Sequence, residues 1–210
     1  MAKMLYQGHG SYRFVLDNGT VVYVDPFAGE GYDLPADLIL STHEHFDHIG
    51  FDKMPHASGC RIVRAADLHP ASGVYNSTTI HGVDIAAVQA YNQNHDMDEC
   101  VGYLLSFDNV VFYASGDTSA TEDMESGKLA AAAIDYAVFP CDGFYNMDRQ
   151  EASRCARLVA ARHSIPVHMV PMDDPSDPSK LFDRARAEEF QVPGRIILEP
   201  GEVLELNPMG

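Results

Sequence analysis

Three histidines and an aspartate lie within six positions of this chain, in the run His43-Glu44-His45-Phe46-Asp47-His48. The run follows an apolar stretch, residues 37–42, which is bounded by Pro35 and has the pattern of a buried strand. Loops that follow rigid strands are where binding residues concentrate. Imidazole suits zinc, iron and manganese, and the added carboxylate favours a hydrolytic or redox metal centre over a closed structural site. An ordinary solvated polar loop is the alternative, and the H-x-H-x-D-H spacing argues against it.

Three further side chains that could bind a metal lie near the ends of other predicted strands. His95 and Asp117 each follow a predicted strand, and Gly116 would allow a tight turn before the aspartate. His168 is a polar residue inside an apolar strand that we predict at 165–170. Each alone has an ordinary structural explanation, as a hydrogen-bonded histidine or a turn-forming aspartate. Together with the run, they predict ligands that converge from successive strand ends.

The elements that must position these residues are mostly strands in the first half and strands alternating with helices in the second. Strands are predicted at 13–16, 20–24, 37–42, 61–66, 79–80, 83–91, 101–107, 110–114, 136–140 and 165–170. One predicted helix starts at Asp148, with Glu151 three residues on, and another runs from Asp177-Pro178 to about Phe190. A closing hairpin is expected from 195–198 and 202–206. This order predicts an α/β or α+β protein.

Length and charge restrict the domain organisation and the partners. A chain of 210 residues can bury one substantial core, so a single domain over residues 1–210 is expected. The net charge of −17 would repel phosphate backbones and anionic lipid, so we expect a small-molecule substrate and neither nucleic acid nor a membrane as partner. A homo-oligomer is compatible with the sequence. With no apolar secretory segment or spanning run, the expected location is cytoplasmic.

The order of these motifs resembles that of the metallo-β-lactamase fold superfamily: H-x-H-x-D-H, a histidine, Gly-Asp-Thr and a late histidine. Four further segments resemble the branch that contains the ascorbate-6-phosphate lactonases and related hydrolases: Tyr6 to Ser11, Val24 to Phe27, Gly143 to Met147 and Glu199 to Glu202. The resemblance covers nearly the whole chain and implies a four-layer αββα sandwich with metals at one edge of two facing sheets. The chain departs from most of the branch at Cys141-Asp142, where a small or glycine pair is usual.

The resemblance also implies two divalent metal ions, with zinc as the first expectation and manganese or iron as alternatives. The first ion would be held by His43, His45 and His95, and the second by Asp47, His48 and His168, with Asp117 bridging the two. No thiolate belongs to this set, and His45 stands where the redox members of the superfamily carry a glutamate. Hydrolysis is therefore favoured over oxygen reduction.

The expected function is hydrolysis of a small-molecule ester, lactone or phosphodiester by a hydroxide that bridges the two ions. Asp47 would orient the hydroxide as well as bind metal, and Tyr145 is a candidate to protonate the leaving group. A non-catalytic metal-binding protein of the same fold and a superfamily nuclease are the alternatives. The complete ligand set argues against the first alternative, and the net charge of −17 argues against the second.

The remaining polar residues near these motifs are expected to have structural roles. His9 is expected to hydrogen-bond within the first hairpin, although a place beside the metal ligands is possible. Asp25 is expected to be a structural hydrogen-bond acceptor, and Glu44 to face solvent or pair with a cation. The other histidines are expected in turns, loops or at the surface: His56, His69, His81 and His163.

Overall fold

The computed structural model describes residues 1–174 and 177–208. In chain order its strands are β1 (Lys3–Gly8), β2 (Ser11–Val15), β3 (Val21–Val24), β4 (Ala36–Leu40), β5 (His56–Val63), β6 (Ser77–Ile80), β7 (Val83–Gln89), β8 (Val101–Phe107), β9 (Val110–Ala114), β10 (Tyr136–Pro140), β11 (His163–Val167) and β12 (Val203–Glu205). The α-helices are α1 (Ala65–Leu68), α2 (Glu122–Glu125), α3 (Arg149–Val159) and α4 (Arg184–Glu189). Short 3-10 helices cover Phe46–His48, Phe51–Lys53, Ala130–Ala132 and Pro178–Lys180.

The strands form two mixed sheets, with the orders β12-β1-β2-β3-β4-β5 and β11-β10-β9-β8-β7-β6. In the first sheet β3, β4 and β5 are parallel, and β1 runs in the same direction because β2 is antiparallel to both β1 and β3. In the second sheet β9, β10 and β11 are parallel, and β7 shares their direction. The carboxyl ends of such strands are where ligand-binding loops of open sheets collect.

The main core lies between the two sheets, and strand alternation decides which side chains enter it. Leu38 and Leu40 of β4 belong to this core, whereas Ile39 packs on the opposite face of the sheet. In β9, Phe112 faces the shared core and Tyr113 faces the outer layer. This two-sided burial explains why both strands are almost wholly apolar in sequence.

Helix α3, whose start at Asp148 the sequence predicts, covers the outer face of the second sheet. The Asp148 carboxylate accepts hydrogen bonds from the backbone amides of Gln150 and Glu151, which caps the first turn. The apolar stripe of the helix packs against β9 and β10 through Ala152, Cys155, Ala156 and Val159. The outer face of the first sheet is covered instead by side chains from loops and a 3-10 turn, which are Tyr32, Leu34 and Phe51. The predicted α+β sandwich of two facing sheets is confirmed.

Two parts of the first sheet differ from the sequence-based prediction. Strand β1 was not predicted, because its last residues, Gln7 and Gly8, are buried polar and glycine positions that hide the strand pattern. The predicted closing hairpin is wrong. Strand β12 pairs with the free edge of β1, with Glu205 opposite Lys3, whereas Arg195 forms a bridge to Ser164 of the other sheet.

Three other predicted boundaries also change. The helix predicted from Asp177 to Phe190 is interrupted, because the carbonyl of Leu181 accepts a hydrogen bond from the His9 amide and α4 begins only after Asp183. The strand predicted at 165–170 ends at Val167. The strand predicted at 61–66 runs from His56 to Val63, and α1 follows it directly. Within the described ranges, no helix has the length and apolar character needed to cross a bilayer.

Candidate metal centre

The structure brings all seven predicted ligands to one edge of the sandwich. Four of them follow β4, and one each follows β7, β9 and β11: His43, His45, Asp47, His48, His95, Asp117 and His168. Two glycines allow this close approach. A Cβ atom at Gly116, where φ is +64°, would lie 2.9 Å from the Thr42 side chain, and one at Gly10 would lie 3.0 Å from Cε1 of His48. The correction to β11 places His168 just after the strand, at φ 47°, and not inside it.

One cluster within this site contains His43, His45 and His95, whose ligand nitrogens all lie within 4.8 Å of one another. His43 and His95 are buried, whereas His45 is exposed on the cleft side. These are the three residues that the sequence assigns to the first ion. Their mutual distances allow them to bind one cation together.

A second cluster contains Asp47, His48 and His168, and His9 joins it within the same 4.8 Å limit. The Asp47 Oδ2 atom lies 4.0 Å from Nε2 of His48 and 3.9 Å from Nε2 of His168. These three residues are the set that the sequence assigns to the second ion.

Asp117 lies between the two clusters. Its Oδ1 atom is 3.6 Å from Nε2 of His48, and its Oδ2 atom is 3.4 Å from Nε2 of His95 and 3.2 Å from Nε2 of His168. One carboxylate thus faces histidines of both clusters, which is the position that a bridging ligand needs.

The buried nitrogens of the site fit a divalent cation. Four Nε2 atoms are buried and have no hydrogen-bond partner within residues 1–174 and 177–208: those of His43, His48, His95 and His168. Buried polar atoms are almost always hydrogen-bonded, so four nitrogens that crowd around one carboxylate without a hydrogen bond require an explanation. Neutral imidazole and carboxylate are preferred ligands of zinc, iron and manganese, and a bound cation would satisfy all four nitrogens.

The Nδ1 atoms of His43 and His48 face two polar side chains outside the clusters, Thr42 and Asp25. Nδ1 of His43 lies 3.0 Å from Oγ1 of Thr42, and that hydroxyl donates to Oδ2 of Asp25 at 2.8 Å. The same Oδ2 atom lies 3.1 Å from Nδ1 of His48. Asp25 also accepts a hydrogen bond from the Thr42 amide, so it is the structural acceptor that the sequence predicts. It additionally orients two candidate ligands.

The other two histidines, His95 and His168, are oriented by a second network of polar side chains, on the side of β10. Nδ1 of His95 faces Oδ1 of Asn92 at 2.9 Å, and Nδ1 of His168 lies 3.1 Å from Oδ2 of Asp142. Asn146 joins the two sides, because its amide donates to Asp117 at 2.8 Å and to Asp142 at 2.9 Å. Each of the four rings therefore has a polar atom within 3.1 Å of its Nδ1, which leaves Nε2 as the nitrogen that faces the clusters.

Burial and charge set the protonation of the cluster. Burial favours the neutral acid form of Asp117, but the imidazolium charges of His168 and His48 outweigh burial and hold its pKa well below the usual range. Burial opposes charge on His48, but the carboxylates of Asp117 and Asp25 outweigh it and raise the pKa of His48 to about 9. Burial and the neighbouring His48 lower the pKa of His43 well below its usual range. The carboxylates of Asp117 and Asp25 thus stabilise positive charge at this edge of the sandwich, and a divalent cation would supply that charge.

The prediction that His9 hydrogen-bonds within the first hairpin is wrong. Its Nε2 atom is 3.1 Å from Oδ2 of Asp47, and its ring centroid is 3.6 Å from that of His168. Burial and the charge of His168 lower the pKa of His9 to about 4, so the ring is neutral near pH 7 and donates to the carboxylate. The signal in sequence is its place between Gly8 and Gly10 at a strand end, where the chain turns sharply.

Two other predictions concern residues near the site, Glu44 and His69. Glu44 forms an ion pair with Arg64, as expected. His69 lies in the loop after α1, within the expectation of a surface or loop position. It is buried there, and its two ring nitrogens face the carbonyls of Val74 and Met97 at 2.7 and 3.0 Å.

A cleft of about 400 Å³ opens onto the clusters. Its described lining consists of His45, Phe46, Asp47, Asn94, His95, Asp117, Tyr145, His168 and Met172. Tyr145 is 39% exposed, and its loop is fixed because the Asp142 carboxylate accepts hydrogen bonds from the amides of Phe144, Tyr145 and Asn146. Its position in the lining allows contact with a substrate, and its catalytic role stays a prediction.

Known proteins share both the sequence pattern and the fold of this chain. A family model described as a β-lactamase superfamily domain matches residues 3–168. A UPF0173 metal-dependent hydrolase from Thermococcus kodakarensis is 31% identical over 98% of this chain and 100% of the relative, and one from Pyrococcus furiosus is 30% identical over the same shares. A metallo hydrolase from Ignicoccus hospitalis has a TM-score of 0.71 at 22% identity, covering 98% of this chain and 99% of that chain.

Proposed function

The chain belongs to the β-lactamase superfamily and is a metal-dependent hydrolase. From this premise we propose that it hydrolyses a small-molecule ester, lactone or phosphodiester at a site for two divalent ions. Zinc is the first expectation for these ions, and manganese and iron are the alternatives. The observation that carries the proposal is the set of four buried Nε2 atoms that make no hydrogen bond and surround Asp117. A site retained only for structure would satisfy these atoms with protein groups.

In the proposed arrangement each ion takes one of the two clusters. The first ion would be held by His43, His45 and His95 and the second by Asp47, His48 and His168, and Asp117 would be available to both. The support is geometric, because Asp117 lies within 3.6 Å of histidine nitrogens from both clusters.

Divalent ions at this site supply Lewis acidity and lower the pKa of water toward neutrality. We assign to Asp47 the orientation of the attacking water, and to His9 the orientation of Asp47 through the hydrogen bond from Nε2. The water, after releasing one proton to solvent, bonds through its oxygen to the carbonyl carbon or phosphorus, the bond to the leaving oxygen breaks, and that oxygen takes a proton. Tyr145, in the cleft wall, is the proposed donor of this proton.

The proposed partner is a compact small molecule, with neither nucleic acid nor membrane, because a chain of net charge −17 repels polyanions. A cytoplasmic location and a homo-oligomer are part of the same proposal. A non-catalytic metal-binding protein and a nuclease are the competing functions.

The test is a substrate panel on protein stripped of metal and reloaded with zinc, manganese or iron. We expect at least one ester, lactone or phosphodiester to be hydrolysed, with loss of activity on chelation and in Asp117→Ala. Asp84→Ala is the matched control, because Asp84 is an exposed acidic residue of β7 outside the site.

The competing functions predict different results. Metal-loaded protein that turns over no member of the panel would favour the non-catalytic role. Efficient cleavage of DNA or RNA that disappears in Asp47→Ala would establish the nuclease instead.

A further inference from the structure

The exposed aromatic side chains of this protein are concentrated at one place. Among the described residues, the exposed phenylalanines and tyrosines are Phe46, Phe144 and Tyr145, at 57%, 70% and 39% exposure. Phe46 and Tyr145 line the cleft, and the ring of Phe144 packs edge-on against Tyr145 with centroids 4.7 Å apart. Exposed aromatic surface is unfavourable in water, and a patch beside a polar site is typical of ligand contact.

Both loops that present these rings are held in place. Phe46 begins the 3-10 helix Phe46–His48 between candidate metal ligands, and its ring packs edge-on against Phe27 with centroids 5.5 Å apart. The Phe144–Tyr145 segment is tied by its backbone amides to the buried carboxylate of Asp142. The apolar wall is therefore pre-organised, which lowers the cost of ligand binding.

The described lining of the cleft contains neither lysine nor arginine. Its carboxylates are Asp47 and Asp117, both of which face the histidines at the bottom of the site. Asp173 follows Met172 in the chain, and its carboxylate is paired with the ammonium group of Lys180 at 2.7 Å. A charged group on the part of a substrate remote from the metals would be desolvated there without a counter-charge, which is costly.

We infer that the cleft selects substrates whose remote arm is apolar and uncharged, and that Phe46 and Tyr145 bind this arm. The inference rests on the proposed function, because the scissile group must lie over the clusters for its arm to reach the aromatic wall. It narrows the substrate class to esters, lactones or phosphodiesters with an alkyl or aryl arm, and it disfavours arms that carry a carboxylate or phosphate.

The experiment uses three hydroxamates on zinc-loaded protein, because they share a metal-binding head and differ in the arm. These are acetohydroxamate, octanohydroxamate and a hydroxamate of similar length that ends in a carboxylate. Isothermal titration calorimetry measures their affinities without turnover. A fully buried methylene is worth roughly a fourfold gain in affinity, so even a partly covered octyl arm should give at least about tenfold over acetohydroxamate. The carboxylate-ended compound should lose most of this gain.

Two variants locate the arm. In Phe46→Ala the ratio of octanohydroxamate to acetohydroxamate affinity should fall at least about threefold. Val203→Ala, an equally exposed apolar residue of β12 outside the cleft lining, should keep the wild-type ratio. Phe46 is more than half exposed, so its truncation is not expected to disturb folding.

The outcomes separate this inference from the proposed function. Three results would each overturn the inference. They are equal affinity for acetohydroxamate and octanohydroxamate, equal affinity for octanohydroxamate and the carboxylate-ended compound, and an unchanged affinity ratio in Phe46→Ala. A clear preference for the long arm in a protein that hydrolyses nothing would support the inference and refute the proposed catalysis. Failure of acetohydroxamate to bind the zinc-loaded protein would overturn both.

Discussion

The Oδ2 atom of Asp142 lies 3.1 Å from Nδ1 of His168, so the loop after β10 orients a candidate metal ligand at the end of β11. The Oδ1 atom of the same carboxylate accepts hydrogen bonds from three backbone amides of the loop that forms the cleft wall. Cys141-Asp142 is where the sequence departs from the branch that it resembles. This position therefore connects the shape of the cleft to the geometry of the metal centre.

Asp142→Asn tests this connection. The asparagine oxygen can still accept the loop amides, but its amide group, in place of Oδ2, supplies neither the charge that holds His168 nor an acceptor for Asn146. We expect zinc affinity to fall by about 10- to 100-fold and the free energy of unfolding of the metal-free protein to fall by about 1–3 kcal/mol. Competition with a chromophoric chelator measures the affinity. Asp148→Asn is the control, because asparagine caps a helix as well as aspartate and this cap lies outside the site. Wild-type zinc affinity in Asp142→Asn would contradict the assignment.

Asp25 is expected to matter for both stability and metal binding. In Asp25→Ala the buried amide and hydroxyl of Thr42 lose their acceptor, and alanine takes a backbone with φ of 46°, so we expect a loss of about 2–4 kcal/mol in the free energy of unfolding. Urea denaturation of the metal-free protein measures it. Asp25→Asn tolerates the left-handed backbone and should recover much of this stability while still weakening zinc binding through His48. Unchanged stability in the alanine variant would contradict the expectation.

Removal of the shared carboxylate in Asp117→Ala should abolish hydrolysis and weaken metal retention while leaving the fold intact. In the metal-free protein His48 still faces Asp25 and His168 still faces Asp142 once Asp117 is gone, so neither imidazolium is left buried without a counter-charge. Metal content after dialysis, activity and circular dichroism measure the three properties. If Asp117→Ala retains wild-type activity, the residue serves only the turn after β9.

The hydrogen bond from His9 to Asp47 should contribute to turnover more than to folding. Asparagine accepts the left-handed backbone of residue 9, at φ of 51°, but is too short to replace the imidazole. We expect His9→Asn to lower kcat by about 10- to 100-fold with metal content retained. His81→Asn is a matched control, because His81 has the same φ of 51° in an exposed turn. Equal kinetics of the two variants would show that His9 has no part in the reaction.

The sequence alone predicts much of the metal centre because its signals are local. His43, His45, Asp47 and His48 lie within six positions after one strand, and their spacing is visible without a structure. Three strands, β8, β9 and β10, have the predicted bounds, because most of their residues are apolar. The helix that begins after Asp148 is predicted from its cap residue.

What the sequence does not reveal depends on contacts between distant residues. His9 is 38 positions from Asp47, and Asp142 faces a histidine that follows the neighbouring parallel strand β11. Residues 202–206 look like half of a hairpin, but the edge of β1 offers them unpaired backbone groups and captures them. Local patterns report which groups are polar and which strands are buried. Only tertiary packing decides which polar groups meet, because strand order and the common edge of two sheets bring together residues that no spacing in the sequence relates.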